Sequence, residues 1–349
     1  MTLQRAHGYC QQCQLPSLPV DELIGLDSFL TVHAARMATL AGIDEPFRKA
    51  RRVLEELCGW QVSAETIRQI CHEHARKARE KRPTLTALPQ AFDQSTDPDH
   101  EIHIDAGKVN TPEGWRDIKV AVFASRARCE NGSVDDYEQR NLPSPGLRSV
   151  VAQVETASDF GQRCAREASR LQIGALSTAV SVLGDGAEWI WNLAWEHFAD
   201  ATEVLDVYHG VEKLAEWGRE AFGRSPEVLS GWLASARGKL LGDGYWGVCE
   251  SLRICENLQE KADAVCYEKT ASVLGYFSEH QDRLGYAARL LRGQTIGSGL
   301  VEGTIKQRVN LRLKRGSARW LPEHAGPLVE LMAMSDTAEW DELWTDMAA

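Results

Sequence analysis

The sequence predicts a mixed α/β core, interrupted by a long helical segment and preceded by a smaller helical region. Three observations carry this. Strand-like runs at 101–110, 115–128 and 149–155 are followed by helix, strand, helix and strand up to residue 207, the pattern of a mixed sheet covered by helices. From 210 to 292 no strand run appears and apolar residues recur at helical spacing. Between Asp44 and Arg82, ahead of a stretch rich in Pro, Thr, Ser and Asp, the spacing is helical again.

At 349 residues and about 150 residues per domain, the chain holds two domains or one large domain with an insertion. Its 43% hydrophobic and 26% charged residues are ordinary for a soluble globular protein and exclude disorder as the main state. No run approaches the roughly 20 apolar residues of a membrane span, and the N-terminus does not lead from basic into apolar sequence, so a cytoplasmic location and no membrane partner are expected. Lys and Arg number 39 against 50 Asp and Glu, a net charge of -11. Such a chain is not coated with positive charge, so any nucleic-acid contact must come from local patches. Nine cysteines without secretory features argue against a disulfide framework. Cys10 and Cys13, with His7 before them in the segment 1–20, supply half of a zinc-ribbon ligand set, and the other cysteines form no second C-x-x-C.

In the helical region 21–82, Asp44 is the expected N-cap of a first helix with Pro46 in its first turn, and Phe47, Ala50, Leu54, Leu57 and Cys58 recur until Gly59 stops the run. Ser63 caps a second helix whose apolar face is Ile67, Ile70, Cys71, Ala75 and Ala78. The other face carries Arg68, Gln69, His72, Arg76 and Arg79, long enough to reach phosphates or base edges. Helix, Gly-containing turn and helix fit a DNA-binding helix-turn-helix; they equally fit a helical hairpin with a solvated charged face. Residues 83–100 read as a linker. The strand runs follow, with Gly114 in the turn between the first two. Then come a helix at 160–172, a strand at 178–183, a helix at 187–198 and a strand at 203–207, which complete the first part of a core at 101–210. A helical insertion occupies 211–295, a last core helix falls within 296–325, and a helical tail fills 326–349.

Asp105 ends the apolar run of the first strand, and Asp185 follows the fourth. Both are read as strand-end carboxylates, where α/β sheets bind ligands, and the flanking Gly107, Gly184 and Gly186 allow close approach. A single Asp before a helix is more often a cap. Glu302, one turn into the last helix, shares a wheel face with Ile305, Val309 and Leu313 and is expected to point inward. Three convergent carboxylates suit Mg²⁺ or Mn²⁺ and phosphoryl chemistry. On the same helix Arg308, Arg312, Arg315 and Arg319 make a stripe, with Lys306 and Lys314 in the same basic stretch. Like charges at i, i+4 destabilise a helix unless neutralised, which favours a DNA phosphate backbone over bare solvation.

These segments meet a known family. HIDAGKVN, WRDIKVAVF, LGDGAEWIWNLAWEHF, VLDVYHGVEKL, TIGSGLVEGTIKQRVNLRLKRGSARW and EWDELW resemble the ISKra-type bacterial insertion-sequence transposases, RNase H-like DDE enzymes related to the Mutator-like group, from about Leu23 onward. The resemblance implies an RNase H-like core in which Asp105, Asp185 and Glu302 hold two divalent ions for DNA cleavage and strand transfer. It implies transposon ends and target DNA as partners, a homo-oligomer on DNA and a nucleoid location. Asp206 and His209 match the family's D-x-x-H element, implied to position the scissile strand; a histidine so placed also packs or caps the following helix. Trp232 and Trp246 are candidates to stack on an unpaired base. Members often carry a Cys-rich N-terminal region, of which only Cys10 and Cys13 are seen here. The rival to an active enzyme is a catalytically inactive remnant that binds DNA as a regulator; a sequence-independent nuclease is a third reading.

Overall fold

The structure, a computed structural model, describes residues 8–14, 16–17, 26–27, 30–93, 98–127, 129, 132–134, 137–174, 179–223, 225–258 and 264–348. His7 and the expected strand ends at 128 and 178 lie outside them, as do parts of the segment 1–20 and of the linker. The chain is mixed α and β. Two short antiparallel ladders, Gly8–Tyr9 with Pro16–Ser17 and Leu26–Asp27 with Leu30–Thr31, come first, followed by three helices, α1 (Val32–Asp44), α2 (Phe47–Cys58) and α3 (Ala64–Lys81). Asp44 closes α1 instead of capping α2, because the apolar spacing already begins at Val32; Pro46 takes the cap position of α2. Gly59, at φ 63°, ends α2, and the Ser63 hydroxyl accepts from the Thr66 N–H at the start of α3.

Within 83–100, read as a linker, the described residues include a short helix, α4 (Ala87–Asp93), with Leu85, Leu88 and Phe92 buried, and Asp99 already lies in the first strand of the main sheet. Apolar residues at helical spacing outweigh the turn-forming composition there. The strands β1 (Asp99–Thr111), β2 (Gly114–Arg126), β3 (Leu147–Gln153), β4 (Val180–Gly184) and β5 (Thr202–Leu205) form one sheet in the order β3-β2-β1-β4-β5. The first three are an antiparallel meander, and β4 and β5 run parallel to β1. Between and after them lie α5 (Ala157–Arg170), α6 (Glu188–His197) and α7 (Val207–Phe222).

The segment 211–295 is helical among its described residues, with α8 (Pro226–Asp243), α9 (Tyr245–Leu258), α10 (Ala264–Glu279) and α11 (Tyr286–Leu291). Helix α12 (Gly299–Thr304) continues as a wider π-helical stretch over Ile305–Leu313, and α13 (Pro322–Met334) and α14 (Glu339–Ala348) close the chain. The two faces of the sheet bury different partners. Ile102, Ile104, Ala121 and Phe123 pack with α5, α6 and the helical segment, whereas Val109, Ile118, Val120 and Val122 pack with the last core helix, α13 and α1–α3. The N-terminal helices therefore share the core of the sheet. No helix among the described residues is long and apolar enough to cross a membrane.

Candidate metal centre

Register places the acids. β1 pairs His103 with Leu183 of β4, and β4 pairs Gly184 with Leu205 of β5. Continuing both ladders sets Asp105 beside Asp185 and Asp185 beside Asp206, one strand spacing of about 4.8 Å apart. Asp185 and Asp206 lie just past the ends of their strands. Asp105 does not: β1 runs on to Thr111 because β2 pairs with it along its whole length, so Asp105 is mid-strand at the point where β4 stops.

Asp206 is fully buried. Its Oδ1 accepts from the Tyr208 N–H at 2.6 Å, and its Oδ2 accepts from the Ser298 N–H at 2.7 Å and from the Ser298 hydroxyl. The same hydroxyl lies 3.1 Å from Glu302 Oε1 and so sits between the two carboxylates. His209 is one turn along α7 from Asp206. Single ligand atoms of Asp206, His209 and Glu302 all lie within 4.8 Å of one another, a group able to hold a metal ion. Glu302 does not point inward as the wheel predicts. Ile305, Val309 and Leu313 are buried, while Glu302, in the first turn, stays exposed at the rim and turns to Ser298.

The electrostatics are those of crowded acids. Burial, followed by the nearby Asp185 and Asp206 carboxylates, pushes the Asp105 carboxyl up to about 6, against the N–H of Ala106 and His209, which favour its charged form. Burial and then Asp206 raise the Glu302 carboxyl above its ordinary value. Asp185 Oδ1 accepts from the Ala187 N–H at 3.0 Å, the capping role, which leaves its other oxygen. Among the described residues no Lys or Arg forms an ion pair with Asp105, Asp185, Asp206 or Glu302. The close approaches allowed by glycine are filled by the protein itself: a Cβ on Gly107 would meet Ile305 at 3.1 Å and Val309 at 3.2 Å.

The residues expected on DNA are mostly engaged within the chain. Arg68 and Gln69 donate to Glu65 at 2.9 and 3.2 Å, and Arg76 to Glu80 at 2.7 Å. Arg79 turns inward to Glu330 at 2.8 Å and the Ala152 carbonyl at 2.9 Å. The expected recognition face is thus neutralised by acids on its own helix and docked on α13. Two arginines of the stripe on the last core helix, Arg308 and Arg312, are buried instead of facing phosphate. Arg308 donates to the Met332 carbonyl at 2.7 Å and to Asp336 at 2.5 Å, and Arg312 donates to the carbonyls of Ile43 and Gly42 at 2.8 and 2.7 Å. These carbonyls belong to the C-terminal turn of α1, where a cation is favoured. Arg315 pairs with Glu45 at 2.9 Å. Lys306 and Arg319 are exposed, and Lys314 lies 5.9 Å from the Trp115 ring centre. Trp246 is exposed, while Trp232 is half-buried among Trp217 and Phe222. Cys10 and Cys13 are exposed, with no third ligand beside them among the described residues.

His72 is packed instead of presented. Its ring stacks on His324 with centres 4.0 Å apart, beside Phe47 and Trp320. Burial, then His324 and Arg68, push the imidazole down to about 3 from its ordinary 6.5. Folded His72 is thus neutral in a range where the unfolded chain takes up a proton, so stability is full above pH 6.5 and falls as the pH drops toward 3. His72→Gln should flatten this dependence by about 2 kcal/mol across the window. Urea midpoints for both proteins, measured against pH at fixed ionic strength, check it.

Sequence reasoning missed Ser298, which bridges two acids, and Tyr276, whose hydroxyl donates to the Asp185 carbonyl at 3.1 Å. Ser298 lies inside the TIGSG run, whose two glycines flag a tight approach. No comparable local signal marks Tyr276. No family model matches the chain, and no curated protein matches it.

Proposed function

We propose that the chain is a DDE transposase, an RNase H-like enzyme that cleaves and joins DNA strands with Mg²⁺ or Mn²⁺. One observation carries the reading: Asp105 on β1, and Asp185 and Asp206 just past the ends of β4 and β5, with Glu302 and His209 beside them, form an acidic cluster with which no Lys or Arg of the described residues pairs. Uncompensated carboxylates that have lost solvent are unfavourable without a bound cation. The meander followed by two parallel strands, in the order β3-β2-β1-β4-β5, supports the RNase H-like assignment.

Asp206, His209 and Glu302 would hold an ion, with Asp105 and Asp185 on its strand side. Oxygen ligands suit Mg²⁺, and the one imidazole tilts the set toward Mn²⁺. A bound divalent ion supplies charge neutralisation to a phosphodiester. The chain's own groups orient the ligands: the N–H groups of Tyr208 and Ser298 fix both Asp206 oxygens, and the Ala187 N–H fixes one oxygen of Asp185. His209, half-exposed on the first turn of α7, adds its imidazole to the set at the rim, where the scissile strand would be positioned.

DNA contact in this reading falls to Lys306, Lys314 and Arg319 rather than to the engaged arginines. Replacing Lys306 and Lys314 by Ala should flatten the log-log salt dependence of duplex binding by about 0.9 for each phosphate that is no longer neutralised. An unchanged slope would remove these lysines from the interface. The enzyme itself is tested with duplexes bearing the ends of the element that carries the gene, read for nicking and joining with Mg²⁺ or Mn²⁺. Tight end binding without cleavage would replace this reading with the regulatory remnant, and cleavage indifferent to the end sequence would replace it with a nuclease.

A further inference from the structure

The last turns of α10 close over the loop that carries Asp185. The Tyr276 hydroxyl donates to the Asp185 carbonyl at 3.1 Å. Gly186, next in the chain, has φ +98°, and a Cβ there would lie 2.7 Å from Tyr276 Oη and 3.1 Å from His280 Nε2, so the loop backbone touches both side chains. The grip extends further. Tyr276 meets His280 edge-on at 4.9 Å, His280 packs 6.0 Å from Trp191 of α6, and Arg283 lies 4.5 Å over that tryptophan while donating to Glu203 of β5 at 2.5 Å. The Gly184 carbonyl is held by the Asp206 N–H at 2.8 Å, whereas the Asp185–Gly186 peptide leads into a glycine at φ +98°, and its rotation would swing the carboxylate.

We propose that Tyr276 is a positioning residue for Asp185: its hydroxyl holds the peptide that aims the carboxylate, and through it the helical segment 211–295 sets the affinity of the centre for its ion. The inference rests on the metal-centre reading above. It differs from a packing role because Tyr276→Phe keeps the ring and its contacts with His280 and removes only the donor. Partners that orient metal ligands typically change affinity by about 10- to 100-fold when removed.

The test is Mn²⁺ titration of the full chain, with free ion read by electron paramagnetic resonance. Tyr276→Phe should bind Mn²⁺ about 10-fold more weakly. Trp217→Phe removes an indole bond to Thr270 at 3.0 Å inside the same helical segment and serves as the stability control; it should bind as wild type does. In an Asp185→Asn background Tyr276→Phe should have no further effect. Wild-type affinity in Tyr276→Phe, an equal loss in Trp217→Phe, or an undiminished effect in the Asp185→Asn background would each overturn the positioning role while leaving the metal centre intact. Failure of the wild-type chain to bind Mn²⁺ would overturn the metal centre and this role with it.

Discussion

Cleavage of an end-bearing duplex is expected to fall by about a thousandfold or more in Asp105→Asn, Asp185→Asn and Glu302→Gln, equivalent to at least about 4 kcal/mol of transition-state stabilisation. Each replacement keeps shape and hydrogen-bonding capacity and removes one of the negative charges that would hold the cation. Folding should survive, since burial and then the neighbouring acids raise the Asp105 and Glu302 carboxyls, and removing a charge that both disfavour is not destabilising. Asp206→Asn is the more severe case: both its oxygens accept hydrogen bonds, and an amide cannot receive the Ser298 hydroxyl and N–H on its nitrogen. Ca²⁺ provides the control, occupying oxygen ligands with looser geometry and supporting binding without turnover. Equal cleavage by wild type and the Asp105→Asn variant would refute the assignment.

The second large effect concerns stability. Arg312→Ala should cost about 3–5 kcal/mol, because the carbonyls of Gly42 and Ile43 lose their donor in the interior and the guanidinium leaves the faces of Phe47 and Trp320, whose ring centres lie 4.9 and 5.3 Å away. Arg315→Ala, three residues on, removes an ion pair whose arginine is 51% exposed and should change stability by less than about 1 kcal/mol. Urea denaturation of the two variants gives the contrast directly. Similar small losses in both would return Arg312 to the surface role that its spacing predicts.

Local pattern was legible and long-range partnership was not. Strand-like apolar runs at 115–128 and 149–155 locate β2 and β3 to within about two residues, and the caps at Ser63 and Gly59 locate the ends of α3 and α2. Asp206 and His209 were reached through family resemblance, since a buried Asp after a strand looks in sequence like any helix cap. The arginine stripe misled because a helical wheel records which residues share a face and not what covers it. Arg312 meets Gly42 across 270 positions and Arg79 meets Glu330 across 251, separations over which spacing carries no information. Asp105 looked terminal because the apolar run stops there, while the strand continues on the strength of its ladder with β2. Glu302 departs from the wheel because it sits in the first turn, at the rim, where the Ser298 hydroxyl holds it.

Because two parallel ladders line up Asp105, Asp185 and Asp206, the centre has an alignment rule in place of a spacing rule. The stretch 198–201, between α6 and β5, connects strands without setting their pairing, so it can lengthen or shorten while the three acids stay abreast. A single residue gained or lost within Val180–Gly184 acts oppositely: it turns the side chains beyond it to the other face and carries Asp185 out of line with both neighbours. Counting residues between acids is therefore a poor way to recognise such a site in other chains, and comparing the offsets of paired strands a good one.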